Sequence, residues 1–165
     1  LSNVASAMMI LTAKPFRAGD YVQLGDKAGT VLTIGAIYTS LRTYDNQLIY
    51  IPNSQVTAAA IVNCTSAETR RVDLSFSASY DDDPDAVRKT LCGAAARCEK
   101  VLPDRPVEAH VTGYGDSAVN YVLRFWVRTG DYWDAYNDVL DRMKAAFDAA
   151  GVSMTYPHIN VHMGS

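Results

Sequence analysis

The sequence predicts an α+β protein with a short N-terminal helix, a small β-barrel domain and an α/β domain in the split βαβ order of ferredoxin-like folds. Three observations support this fold class. Residues 1–13 carry no charge, residues 16–66 alternate with a period near two, and residues 67–165 switch between strand and helix periodicity. The 165 residues suffice for one domain or two small ones, with a sizeable buried core.

Composition and charge argue against several classes of protein. Apolar residues make up 48% of the chain and charged residues 20%, which is typical of a folded domain. Fifteen basic against eighteen acidic residues leave a net charge of −3, whereas nucleic-acid binding needs a basic surface. Three cysteines without a CxxC pair fit neither a disulfide scaffold nor a zinc finger, and they suit a reducing compartment.

The first element is an uncharged helix that ends at Lys14 and Pro15, because proline disfavours helical backbone in the residue before it. Thirteen helical residues cover roughly 20 Å, less than the roughly 30 Å hydrocarbon core of a bilayer. Two interpretations stay open: the second half of a membrane-spanning helix, or a buried helix of a soluble core. Since the chain starts with Leu1 and not Met, we expect it to be a piece of a longer protein. Small side chains and Met9 form one stripe, and bulkier apolar side chains form another; the first contains Ser2, Ala5, Ser6, Met9 and Ala13, and the second Val4, Met8 and Leu11.

Short strands follow at spacings of eight to ten residues, which is typical of a small β-barrel. The alternation predicts strands over residues 20–24, 28–34, 37–43, 47–51 and 59–64. Asp45 and Asn46 form a hairpin turn between the third and fourth of them. Within the second strand, Ala28, Thr30, Leu32 and Ile34 share one face, and the glycines at 29 and 35 mark a bend or bulge.

The remainder reads β-α-β-β-α-β. Strands are predicted over residues 72–78, 107–112, 119–127 and 158–163, with a turn over residues 113–116. Asp83 caps the first helix, whose apolar stripe is Val87, Leu91, Ala94, Ala95 and Cys98. Asp131 caps the second helix and Gly151 ends it; its predicted stripe is Trp133, Tyr136, Leu140, Met143, Phe147 and Ala150.

No residue pattern supports an enzyme or a metal site. The acidic run Asp81, Asp82, Asp83 and Asp85 lacks the spacing of an EF-hand, and carboxylates at a helix N-terminus already suit the helix dipole. The three histidines and three cysteines have neither catalytic nor zinc-binding spacing. Nucleophile-elbow, Walker and dinucleotide-binding motifs are absent from the sequence. We therefore expect no cofactor and no catalytic residue.

Several short motifs, in their order and spacing, resemble the bacterial small-conductance mechanosensitive channel family over nearly the whole chain. LSNVASAMMIL at residues 1–11 is similar to the second half of the family's pore-lining helix, and PFRAGD at residues 15–20 to its junction motif. The β-domain signature is matched by GTV at 29–31, LRTYD at 41–45 and IPN at 51–53. The family's C-terminal end is matched by FDAAGV at 147–152 and YP at 156–157.

The resemblance implies a homo-heptamer in the bacterial inner membrane, with residues 15–165 cytoplasmic. It implies a pore-helix half over residues 1–14, an Sm-like β domain over 15–66, a ferredoxin-like domain over 67–155 and a strand over 156–165 for an intersubunit barrel. Membrane lipid, ions and small solutes are the implied partners, and opening by membrane tension during hypo-osmotic shock is the implied activity. The implied pore-helix residues are Ser2, Ala5, Ser6 and Met9; the implied membrane–cytoplasm junction is Lys14, Pro15, Phe16 and Arg17.

Two positions depart from the family's pattern. Ala7 stands where glycine is frequent, and alanine favours a helix by about 1 kcal/mol over glycine, which disfavours bending there. Lys14 replaces the familiar arginine, so a single ammonium group stands in for a guanidinium fork. The hydrophobic constriction of the family lies upstream of the region matched here.

The last strand has two possible orientations in the implied barrel. Ile159, Val161 and Met163 alternate with His158, Asn160 and His162. We expect the apolar set to face inward, because the interior of a small barrel is filled by side chains and apolar ones lose least on leaving water. The opposite parity would place two rings of imidazoles in a narrow lumen. Assembly would then be sensitive to pH near the usual histidine pKa of about 6.5.

Two other functions are alternatives to a channel. A soluble oligomeric Sm-like or ferredoxin-like binding module would need a basic, base-stacking surface for RNA, and the net charge of −3 argues against that. A soluble ferredoxin-like enzyme or metal sensor would need a ligand set that the sequence does not contain.

Overall fold

The structure, a computed structural model, describes residues 1–161 and residue 163. It confirms the α+β class and divides the chain into two compact units, Leu1–Glu68 and the part that begins at Thr69. Each unit has its own hydrophobic core.

The first unit combines helix α1 with an antiparallel five-stranded sheet. Its elements are α1 (Ser2–Ala13), β1 (Tyr21–Leu24), β2 (Lys27–Ile34), β3 (Tyr38–Arg42), β4 (Leu48–Pro52), α2 (Asn53–Ala58) and β5 (Ile61–Asn63). The sheet order is β4-β3-β2-β1-β5, so β4 and β5 are its outer strands. The short helix α2 was not predicted; it begins directly after Pro52 and is anchored by Val56, which is fully buried.

The core of this unit receives side chains from the helix, the junction loop and the sheet. Its buried apolar members are Ile10, Phe16, Val22, Leu24, Val31, Leu41, Ile51 and Val56. In β2 the buried side chain is Val31, on the other face from the predicted set, and a register shift between Val31 and Thr33 then turns Ile34 towards the core. Because of this one register shift, odd-numbered residues of β2 face the core before it and even-numbered residues face the core after it.

The second unit has the first five elements of the predicted β-α-β-β-α-β order. Its elements are β6 (Thr69–Ala78), α3 (Pro84–Ala96), β7 (Glu108–Tyr114), β8 (Val119–Arg128), a 3₁₀ turn (Thr129–Asp131) and α4 (Tyr132–Ala150). The sheet order is β6-β8-β7, which leaves one edge of β6 uncovered by the other two strands. Met154 forms an isolated antiparallel bridge with Ala78 on β6. The place of the fourth ferredoxin-like strand is thus marked by residue 154, and not by the predicted segment 158–163.

Two details of the second unit differ from the sequence prediction, and a third agrees with it. The turn predicted over residues 113–116 begins only after Tyr114, because a register shift between Val111 and Gly113 keeps the chain in β7. Asp83 caps α3 by accepting the Ala86 N–H at 3.3 Å, as predicted. Asp131 precedes α4, but its side chain makes no capping hydrogen bond and lies 3.8 Å from the Lys100 ammonium.

The predicted apolar stripe of α4 is confirmed at Met143 and Phe147 and is wrong at Trp133 and Leu140. The fully buried side chains are Ala135, Val139, Met143 and Phe147, spaced by four residues. Trp133 and Leu140, predicted as core, are 46% and 43% exposed. The aromatic residues at the start of α4 pack on one another, and the Arg70 guanidinium lies 3.6 Å from the centre of the Tyr132 ring. By contrast the stripe of α3 is confirmed: Val87, Leu91, Ala94, Ala95 and Cys98 are all buried.

The tail beyond Thr155 belongs to neither a helix nor a strand over residues 156–161 and 163. Its apolar side chains are exposed, with Ile159 at 88%, Val161 at 79% and Met163 at 92%. His162 lies outside the described residues. A strand that pairs between subunits has its partners in other copies of the chain, so the intersubunit barrel stays a prediction.

The close approach of β2 to β3 generates a stability prediction. A Cβ atom on Gly29 would lie 2.8 Å from the Arg42 carbonyl oxygen, so Gly29→Ala forces the two strands apart. We expect a loss of about 1–3 kcal/mol in the stability of the first unit, measured as faster amide hydrogen exchange in β2 and β3.

The matched control is Gly93→Ala on α3, where an added Cβ meets nothing within 4 Å. Alanine is the better helix former, so this variant should gain about 0.5–1 kcal/mol. Unchanged exchange in Gly29→Ala would show that the two strands tolerate a wider separation.

Candidate functional site at the seat of helix α1

Helix α1 has one face buried on its own unit and a larger exposed face. Ser6, Ala7 and Ile10 are buried, with exposures of 7%, 5% and 1%. The exposed face carries several large apolar side chains. Val4, Met8, Met9 and Leu11 are 45–63% exposed. Of the predicted pore residues, Ser2, Ala5 and Met9 are exposed, and Ser6 alone belongs to the buried face.

The buried face rests on Asn53, whose side chain is fully buried. The Thr39 hydroxyl donates to Asn53 Oδ1 at 2.8 Å. Asn53 Nδ2 donates to the Gly35 carbonyl at 2.9 Å and to the Asn3 carbonyl at 3.3 Å. One amide group therefore links α1, the β2–β3 loop and β3, and both of its N–H groups have an acceptor.

Two further polar contacts join α1 to α2. The Ser54 N–H donates to Asn3 Oδ1 at 3.0 Å, and the hydroxyls of Ser6 and Thr57 lie 3.1 Å apart. Because the first turn of α2 supplies both Asn53 and Ser54, a displacement of α1 would strain α2 directly. We call the contacts of Asn3 and Ser6 with Asn53, Ser54 and Thr57 the polar seat.

The C-terminal end of α1 is held by a second set of contacts. Lys14 adopts a left-handed conformation, with φ 50° and ψ 54°, and its N–H donates to the Ile10 carbonyl at 2.9 Å. This conformation ends the helix before Pro15 and turns Phe16 into the core, where it is 2% exposed. Ile10 and Phe16 thus anchor the helix end by apolar burial, as the polar seat anchors its start.

Asp20 ties this junction to the sheet. Its Oδ2 accepts the Arg17 N–H at 3.0 Å and Asn63 Nδ2 at 2.9 Å, and its Oδ1 accepts the Thr65 hydroxyl at 3.4 Å. Asn63 Nδ2 also donates to the Pro15 carbonyl at 3.2 Å. The Arg17 N–H first, and then Asn63, lower the pKa of Asp20 because they stabilise the carboxylate.

An apolar groove of 370 Å³ lies beside the junction. Its walls are Ile10, Leu11, Phe16, Ala18 and Ile34, together with Lys14 and Arg17. Both cationic residues are exposed. The groove therefore combines an apolar lining with two positively charged side chains.

The remaining predicted site residues lie in the second unit. The His158 carbonyl accepts the Ser117 hydroxyl at 3.2 Å, and His158 Nδ1 lies 3.0 Å from the Tyr156 carbonyl oxygen. Ile159, Asn160, Val161 and Met163 are exposed, and His162 is outside the described residues. The side chains of Ile159, Val161 and Met163 are exposed and do not form a shared core.

The acidic run has structural partners. Asp82 accepts the Ser153 N–H at 2.9 Å, Asp83 caps α3, and Asp85 forms an ion pair with Arg88. In residues 1–161 and 163 we find no cluster of three histidine, cysteine or acidic side chains that could hold a metal. Within the same residues, no helix has both the length and the apolar character needed to cross a bilayer.

Comparison with known proteins gives two family matches in the order of the two units. Residues 1–66 match the family model described as "Mechanosensitive ion channel, beta-domain". Residues 72–154 match the model described as "Mechanosensitive ion channel MscS, C-terminal". The second match alone covers half of the chain.

Individual relatives give the same result as the family models. The chain is 34% identical over 163 residues to the small-conductance mechanosensitive channel of Edwardsiella ictaluri, covering 99% of this chain and 57% of that protein. It is 34% identical to an MscS family protein of Buchnera aphidicola, of which it covers 58%. The chain thus spans a little under three-fifths of the length of these relatives.

Solved structures have the same fold. The closed-state crystal structure of Helicobacter pylori MscS matches with a TM-score of 0.90 at 25% identity, over 99% of this chain and 65% of that chain. The structure of Arabidopsis thaliana MSL1 matches with a TM-score of 0.75 at 20% identity, over 94% of this chain and 58% of that chain. The MSL1 match concerns the fold alone.

The polar seat generates a prediction for Asn53. Asn53→Ala removes the acceptor of the fully buried Thr39 hydroxyl and one donor each from the Gly35 and Asn3 carbonyls, and a buried group left unsatisfied costs about 1–3 kcal/mol. We expect the stability of the first unit to fall by roughly 3 kcal/mol in a denaturation experiment. Gln55→Ala, at an exposed position of α2, is the control and should stay within about 0.5 kcal/mol of the wild type. Equal stability of the two variants would show that Asn53 does not hold the helix.

The junction generates a pH prediction. The pKa of Asp20 is lowered on folding, so its stabilising contribution is present above the unfolded value of about 3.9 and is lost as pH falls through the folded pKa. Asp20→Asn should therefore lower stability at pH 6 and make the first unit less sensitive to acid. Asp26→Asn, at an exposed turn, is the control. Identical acid sensitivity in wild type and Asp20→Asn would contradict the role of this carboxylate.

Proposed function

The chain belongs to the MscS family of mechanosensitive ion channels, and from this premise we propose that the protein containing it opens under membrane tension and releases ions and small solutes during hypo-osmotic shock. The family is one of channels and not of enzymes. We propose that the protein has neither a catalytic residue nor a cofactor. The chain covers only part of its relatives, so the proposal concerns the whole protein.

The observation that carries the proposal is the seat of α1. An uncharged helix with an exposed apolar face is held at its start by Asn53 and at its end by Ile10 and Phe16. A force on the membrane part of such a helix reaches the sheet through these contacts, since neither end can move alone. The exposed face, which carries Ser2, Ala5 and Met9, is then available to line a pore or contact neighbouring helices.

We propose a ring of seven copies in the bacterial inner membrane, with residues 1–14 in the pore and residues 15–165 in the cytoplasm. Lys14 and Arg17 would stand at the membrane surface, where basic residues accumulate on the cytoplasmic side. The groove beside them would accept membrane lipid. The exposed tail, with Ile159, Val161 and Met163 on one parity, would form the parallel barrel between subunits.

The test is expression of the complete encoded protein in a bacterial strain that lacks tension-activated channels. We expect survival of a sudden drop in osmolarity and single-channel currents when suction is applied to membrane patches. Native mass spectrometry in mild detergent should give seven copies. Lysis equal to that of the empty strain, with silent patches despite membrane expression, would contradict the proposal.

A matched pair of variants separates the buried face of α1 from the exposed one. Ser6→Leu inserts a bulky side chain against Thr57, so it should lower the stability of the first unit by about 1–3 kcal/mol. Ala5→Leu lies on the exposed face, so it should leave that stability unchanged and alter the tension needed for opening. The exposed face has no part in gating if Ala5→Leu channels open at the wild-type tension.

A further inference from the structure

Within the described part of the chain, the main-chain groups on the outer edge of β6 are unpaired over residues 71–75. Arg71 is opposite Trp126 in the β6–β8 ladder, and the Trp126 carbonyl accepts the Leu102 N–H at 2.8 Å on the other edge of β8. Opposed residues of an antiparallel pair direct their N–H and C=O groups either both towards each other or both away. Arg71 therefore directs its groups away from β8, and Asp73 and Ser75 follow at every second position.

The tail reaches this edge and then leaves it. Met154 forms its bridge opposite Ala78. In this antiparallel register each step forward along the tail is a step back along β6, so Pro157 would lie opposite Ser75. A strand there has to offer both an N–H and a C=O group at position 157. Proline has no N–H, and within sheets it is tolerated on edge strands only where that side faces solvent. Pairing therefore stops before Pro157.

The side-chain pattern of the tail also disfavours a place beside β6. The same register would put His158 beside Leu74, which is 2% exposed in the core of the second unit. It would put Ile159 beside Asp73, on the face where the Arg71 guanidinium donates to the Asp73 carboxylate at 2.7 and 2.9 Å. Because successive side chains of a strand point to opposite faces, this register places a histidine on the core face and an isoleucine on the charged face.

Contacts at the β7–β8 turn take the tail in another direction. Thr155, Tyr156 and Pro157 line one cleft together with Ser117 of this turn. The Ser117 hydroxyl donates to the His158 carbonyl at 3.2 Å. This carbonyl belongs to the first residue after the proline, so the turn holds the chain at the point where it has left β6.

We propose that Pro157 is a positioning residue that keeps the tail out of its own sheet and leaves it free to pair with the tails of other copies of the chain. This inference rests on the proposed function, because it explains how the strand of the proposed intersubunit barrel stays available. The outer edge of β6 is the competing partner, since Met154 already lies on it. The missing N–H of one residue removes that competition.

The test follows the Ser75 N–H in the complete protein, by hydrogen exchange with fragmentation that resolves single amides. In the wild type this N–H is unpaired and should exchange fast. In Pro157→Ala, residue 157 gains an N–H for the Ser75 carbonyl, and its own carbonyl can accept the Ser75 N–H. We expect the Ser75 N–H to exchange about tenfold or more slowly in this variant. The Asp73 N–H should be unchanged, because Ile159 does not fit beside it.

The matched control is Pro106→Ala, at an exposed proline that belongs to no strand, and it should leave the exchange of Ser75 as in the wild type. Equal exchange of Ser75 in the wild type and Pro157→Ala would overturn the proposal. Faster exchange throughout the second unit of Pro157→Ala would also overturn it, since the proline would then only stabilise the fold. So would a Ser75 N–H that is already protected in the wild type, because the edge would then be filled.

Native mass spectrometry on heating supplies the second readout. Wild type and Pro106→Ala should keep seven copies to the same temperature, whereas Pro157→Ala should lose copies at a lower one, because its tails are drawn back to β6. Dissociation of Pro157→Ala at the wild-type temperature would overturn the claim that the proline keeps the tail for other copies. A wild type that never forms seven copies would instead contradict the proposed function, and the exchange of Ser75 would still decide whether Pro157 keeps the tail off β6.

Discussion

The first unit depends on the burial of one primary amide. Asn53 is fully removed from water, and a polar group in that position is tolerated only when it is hydrogen-bonded. Its partners come from α1, from the loop before β3 and from β3 itself, segments up to fifty residues apart in the chain. The helix position, the loop conformation and the strand register are consequently specified together.

The hydrogen bonds of this amide explain how α1 keeps a fixed position although its exposed face is apolar. Apolar contact alone is non-directional and would allow the helix to rotate or slide. The hydrogen bonds of Asn3 and Asn53 fix the rotation of α1 about its axis and its position along that axis. The burial of Ile10 and Phe16 supplies the hydrophobic part of the attachment. The face directed away from the sheet is thereby determined, which is the property a pore-lining helix requires in the proposed channel.

The elements with strong periodicity were predictable from the sequence, and those set by distant contacts were not. The end of α1 at Lys14 and the core stripe of α3 follow from local rules, and the structure confirms both. On α4 the predicted Met143 and Phe147 are buried, but Trp133 and Leu140 were wrongly assigned to the core. Both fit a helical stripe, yet the small Ala135 is the residue of the first turn that faces the core. The role of Asn53 could not be predicted, since a polar residue after a strand is typical of a turn, and only its three distant partners make it a buried link.

The most direct test of the central claim is a double-mutant cycle between Asn3 and Asn53 in the intact protein. The quantity measured is the free energy of local opening of α1, obtained from amide hydrogen exchange in wild type, Asn3→Ala, Asn53→Ala and the double variant. The account predicts a coupling free energy of about 1 kcal/mol or more, because the Asn53 side chain donates to the Asn3 carbonyl while the Asn3 side chain accepts the Ser54 N–H, so that both hydrogen bonds hold the same ends of α1 and α2 together. Additive effects of the two substitutions would contradict it, since α1 would then be held by independent contacts and not by the polar seat.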